Sequence, residues 1–128
     1  WSDIAAPGFV MGGWYDLYAQ SSFINYNGLR NEGATPESRQ SKLIVGPWPH
    51  ALSTSTQTGD VDFGEASLVD LEAEEMRWFE RWLRGVDNGI MDEPPISVFV
   101  MGANKWRQAD EWPLKNTNFT KFFSNIFF

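Results

Sequence analysis

The sequence predicts an α/β fold in which parallel strands are joined by crossover helices. Three observations carry this. Short apolar runs, "GFVMG" (8–12), "KLIVGPW" (42–48) and "ISVFVMG" (96–102), have strand length and no polar face. Between them lie segments whose apolar residues recur at helical spacing. The first two runs end at Gly12-Gly13 and Gly46-Pro47, breakers that close a strand and turn the chain. Strand, helix, strand with both strand faces apolar is the pattern of a βαβ unit.

Taken in order, residues 8–12 read as the first strand. From Leu17 to about Arg30, Ala19, Phe23, Tyr26 and Leu29 lie on one helical face, with Asp16 placed as the N-cap. "NEGATPES" (31–38) is loop by composition, and 42–48 is the second strand. Residues 49–66 form a long polar connection, and such excursions are usually functional. The clearest helix runs from Leu68 to Arg84. Val69, Ala73, Met76, Phe79, Leu83 and Val86 make one face expected to be buried, widened by Trp78 and Trp82. Gly85 stands where a left-handed C-terminal residue belongs. "DNGIMDEPP" (87–95) is turn material, 96–102 is the third strand, and "NKWRQ" reads as a short return strand after Gly-Ala-Asn.

Composition removes several classes of function. A net charge of -7 without a basic stripe argues against a nucleic-acid partner. With no cysteine there is no disulfide, thiol nucleophile or thiolate metal site. The longest apolar runs are strand-sized, so no membrane crossing is expected. Aromatic residues at 16%, seven of them tryptophan, demand more buried surface than a small domain easily supplies. With a start at Trp1 and an end in "NIFF", the chain reads as an internal piece of a longer protein.

Two residues stand out chemically. His50, the single histidine, follows one strand end, and Asp16 follows another. Neighbouring parallel strands present their carboxyl ends at one edge, where ligands bind. A carboxylate there fixes the tautomer of an imidazole and frees its other nitrogen as a base. The ordinary readings stay open at this point: Asp16 as a plain helix cap, His50 as a solvated loop residue. No glycine is followed two places later by serine, so a Gly-x-Ser-x-Gly elbow is missing from the chain. Ser21, Ser22, Ser53 and Ser55 lie near the strands, but none falls on a strand-to-helix turn. Asp60, Asp62 and Glu65 invite a calcium reading, but Glu65 occupies the place where such a loop needs glycine. No metal and no cofactor is expected.

In order and spacing, "GGWYDLY", "LIVGPWPH", "GDVDFG", "RWFERWLRGVDNGI", "EPPISVFVMGANKWR" and "EWPL" resemble the cocaine-esterase-like branch of the X-Pro dipeptidyl-peptidase family. The resemblance covers roughly residues 8–114. It implies the C-terminal half of an α/β-hydrolase catalytic domain over 1–114, and the start of a jelly-roll β-sandwich over 115–128. It also implies that Asp16 and His50 are triad members serving a serine upstream of Trp1. The expected activity is a serine hydrolase forming an acyl-enzyme from an acyl ester or an X-Pro amide, with the cap and β-sandwich domains of its own chain as partners. Ala51, where relatives often carry glycine, is a small departure. The competing expectation is a non-catalytic α/β binding or structural module in which both residues are incidental.

Overall fold

The computed structural model describes residues 1–52 and 55–121. Four strands form one sheet in the order β1-β2-β5-β6: β1 (Phe9–Gly13), β2 (Lys42–Gly46), β5 (Ile96–Val100) and β6 (Lys105–Ala109). The first three are parallel, with Gly13 opposite Gly46 and Leu43 opposite Ile96. β6 returns antiparallel beside β5 through a turn held by Gly102 (φ 86°) and Asn104 (φ 49°). A two-residue ribbon, β3 (Gln57–Thr58) with β4 (Val61–Asp62), lies outside this sheet. The chain is therefore α/β, as expected.

β2 is central, and all five of its residues are buried. That is why its run carries no polar face. Side chains alternate across the sheet. Val10, Leu43, Val45, Ile96 and Val98 gather on one side under Tyr26 of helix α1 (Ala19–Glu32). Phe9 points to the other side, where its ring meets Trp78 of helix α2 (Leu71–Arg84) at 5.6 Å. Each crossover helix thus covers a different face.

Three expectations need correction. Helix α1 starts at Ala19, with Tyr18 rather than Asp16 as its N-cap. The Asp16 side chain instead closes a turn of its own by accepting the Tyr18 amide at 2.8 Å, two residues on. Helix α2 starts at Leu71 because the Asp70 carboxylate accepts the Ala73 amide, which leaves Leu68 and Val69 outside. Its end is where Gly85 was expected to stop it, left-handed at φ 69°.

The third correction concerns the buried face of α2. Met76, Phe79 and Leu83 are 57%, 51% and 77% exposed, whereas Trp78 is 4% exposed. Periodicity identifies an apolar face but not what covers it. Among the described residues, α2 meets the sheet through Trp78. Of the segment expected to open a β-sandwich, residues 115–121 form no strand, and the remainder (122–128) lies outside the described residues.

Candidate active site

The parallel pairing of β1 and β2 continues past both strand ends. The Trp14 amide donates to the Gly46 carbonyl at 2.9 Å, and the Tyr15 amide to the Trp48 carbonyl at 3.1 Å. The two exit loops run so close that a Cβ on Gly13 would stand 2.0 Å from the Trp48 oxygen. Only glycine fits there. A turn closed by Asp16 N–H to the Gly13 carbonyl then presents Asp16. A second turn, Leu52 N–H to the Pro49 carbonyl, presents His50.

These turns bring Asp16 and His50 together across 34 residues. Nδ1 of His50 lies 3.1 Å from Oδ2 of Asp16 and 3.2 Å from Oδ1. The Asp16 side chain is 8% exposed and that of His50 is 69% exposed. The Tyr18 amide, and then the His50 hydrogen bond, hold the Asp16 carboxyl below its ordinary value. An ionised carboxylate can only accept, so the proton of a neutral His50 belongs on Nδ1 and Nε2 is left basic. The Tyr18 ring stands edge-on to the imidazole, centroids 5.5 Å apart.

The aromatic neighbours divide by role. Trp48 is fully buried over Gly46, and Trp14 donates its Nε1–H to the Phe99 carbonyl at 2.7 Å while stacking on Phe23. Both are core. Tyr15 is half-exposed, its ring against Phe63. Of the serines, Ser22 is buried on α1 with its hydroxyl against Gly12, Ser21 is exposed on the same helix, and Ser55 accepts the Gln57 amide. Ser53 lies outside the described residues. Asp62 caps the turn at Gly64, and no cluster of three or more metal-ligating side chains occurs among the described residues.

Sequence reasoning missed the Tyr18 amide as the group that orients Asp16. Its signal, an acid two residues before a potential donor, is identical to that of an ordinary turn. It also did not single out a cavity of about 330 Å³ between α2 and the sheet, bordered by Phe9, Lys42, Arg77 and Glu93. Phe9 and Lys42 begin their strands, so this cavity lies at the opposite edge from Asp16 and His50. Its charges are already paired: Lys42 with Glu93, and Arg77 with Glu93 and Glu74.

The sequence pattern of the X-Pro dipeptidyl-peptidase (S15) family matches residues 1–52, the stretch that contains both Asp16 and His50. The cocaine esterase of Rhodococcus sp. (strain MB1 Bresler) is 34% identical over 123 residues, which is 94% of this chain and 20% of that protein. In fold, the chain is similar to the crystal structure of an aminopeptidase from the marine sediment archaeon Thaumarchaeota archaeon. The TM-score is 0.62 at 19% identity, over 86% of this chain and 18% of that one. The chain thus spans about a fifth of the length of such relatives. A pattern match over the two exit loops and an alignment along nearly the whole chain agree, and both support assigning the chain to the X-Pro dipeptidyl-peptidase and cocaine-esterase-like family.

Proposed function

We propose that this chain supplies the acid and the base of a serine hydrolase triad, with the serine contributed from outside residues 1–128. One observation carries the reading: a nearly buried carboxylate oriented on Nδ1 of an accessible histidine, both at the carboxyl edge of adjacent parallel strands. His50 takes the serine proton on Nε2 as the serine oxygen attacks the substrate carbonyl. Asp16 stabilises the imidazolium that forms. The proton then passes to the leaving alcohol or amine, leaving an acyl-enzyme. Water attacks that ester by the same route and releases the acid. Similarity to that family supports an acyl ester or an X-Pro amide as substrate. The remaining domains of the full-length protein, a cap and a β-sandwich, would complete the pocket.

The test uses full-length protein with p-nitrophenyl acyl esters and an X-Pro p-nitroanilide. Asp16→Asn should lower kcat by about 10³–10⁴-fold and His50→Ala by at least as much. The double variant should be no worse than His50→Ala, because the two act as a unit. Wild-type turnover that survives His50→Ala would remove the reading and favour a non-catalytic role for the pair.

A further inference from the structure

The turn that carries His50 is held through three consecutive carbonyls. Pro49 O accepts the Leu52 amide at 3.1 Å and Trp48 O accepts the Tyr15 amide at 3.1 Å, both backbone bonds. Pro47 O is held by a side chain, the Thr58 hydroxyl, at 2.6 Å. Thr58 lies eleven residues further along, in the ribbon that the long connection makes after leaving the site.

That ribbon is itself anchored. Thr58 pairs with Val61 around Gly59, whose φ of 58° suits a residue without a side chain. The Phe63 amide donates to the Thr56 carbonyl at 2.8 Å. The Phe63 ring is buried, edge-on to Phe99 of β5 and beside Tyr15 of the Asp16 loop. Further on, Trp106 donates its Nε1–H to the Ala66 carbonyl at 2.8 Å. The hydroxyl therefore ties the His50 turn to a ribbon that is anchored in the core through the Phe63 ring that follows it.

We infer that Thr58 is a positioning residue for His50: its bond to the Pro47 carbonyl sets the turn that aims the imidazole at Asp16. This rests on the reading of His50 as the catalytic base. Placing a reacting group within a few tenths of an ångström has large kinetic consequences, so a lost tie should register in turnover before it registers in substrate binding.

The experiment compares Thr58→Val with Thr58→Ser in the full-length protein, with two readouts. Valine keeps the shape and removes the donor, while serine restores it. Thr58→Val should lower kcat by about tenfold to a hundredfold with KM nearly unchanged, and Thr58→Ser should recover it. Independently of turnover, the ¹⁵N shifts of the neutral His50 ring should move from the Nδ1–H form towards a tautomer mixture in Thr58→Val and return in Thr58→Ser. A Thr58→Val protein with unchanged kcat and tautomer overturns the assignment. So does one whose lost activity merely tracks lost folded protein and is not recovered by serine. If His50→Ala is as active as wild type, the base reading fails, and the tautomer readout alone still decides whether Thr58 positions the ring.

Discussion

The Asp16 carboxylate meets Nδ1 of His50 at 3.1 Å because Gly13 lets its own exit loop lie against the Trp48 carbonyl of the other. The pair is a product of sheet register. Gly13 stands opposite Gly46, and two further backbone bonds extend the pairing to Tyr15 and Trp48. The Asp16–His50 contact and the β1–β2 ladder are therefore one structure, and what loosens the second should loosen the first.

Gly13→Ala should test that dependence. The added methyl has to displace backbone rather than a flexible side chain. We expect a loss of about 1–3 kcal/mol or more by urea unfolding, together with loss of the His50–Asp16 contact. An alanine variant of wild-type stability would show that the two loops are not in this close approach.

Three carboxyls make stability depend on pH. Asp16 is held below its ordinary 3.8 by the Tyr18 amide and then by His50, and Asp62 by the Gly64 amide and then by Thr56. For Glu93, burial pushes upward from 4.5, but the Arg77 hydrogen bond and the Lys42 charge outweigh it. Depressed folded values mean that the unfolded chain takes up protons at higher pH than the folded one. Their stabilisation is thus complete above the ordinary carboxyl range and lost as pH falls through the depressed values. The melting temperature should fall below about pH 4, with a shallower acid slope in Asp62→Asn. A melting temperature that holds constant down to about pH 3 would contradict this.

Lys42 is nearly buried at the start of β2, where its ammonium donates to the Ile90 carbonyl at 2.6 Å and to the Glu93 carboxylate at 3.3 Å. Burial lowers its pKa, and Glu93 partly offsets that. Lys42→Met leaves the Ile90 carbonyl without this donor, which should cost about 1–3 kcal/mol in urea unfolding. An unchanged midpoint would mean that water replaces the ammonium at no cost.

The outward face of α2 makes a prediction about residues 1–128 expressed as such. With Met76, Phe79 and Leu83 exposed, this polypeptide should bind a hydrophobic dye and self-associate with rising concentration. Leu83→Glu, at a position 77% exposed, should reduce both while changing stability by no more than about 0.5 kcal/mol. A monomer that binds no dye would contradict it. The same polypeptide should hydrolyse no ester, since the proposed serine lies outside it.

What the sequence made legible follows from how local each signal is. β2 was visible because a central strand buries both faces, and α2 ended at Gly85 because a left-handed stop is written in one residue. The meeting of Asp16 and His50 was visible as a possibility, since both follow strand ends. Its geometry was not, because the approach of Gly13 to Trp48 depends on register between segments more than thirty residues apart. Asp16 was misplaced as the α1 cap because an aspartate that closes its own turn and one that caps a helix look alike in sequence. The Thr58 tie was invisible for a similar reason: a hydroxyl reaching a carbonyl eleven residues away leaves no pattern.

His50 is the one histidine in the chain, so its ring nitrogens give unambiguous signals in a histidine-labelled sample of residues 1–128. The most direct measurement is their ¹⁵N shifts, read through the carbon-bound ring protons at a pH about two units above the ordinary histidine range. A neutral ring protonated on Nδ1, changing to a mixed population in Asp16→Asn, is the result expected if Asp16 orients His50 and leaves Nε2 as the base. A ring protonated mainly on Nε2, or one indifferent to Asp16→Asn, would contradict it.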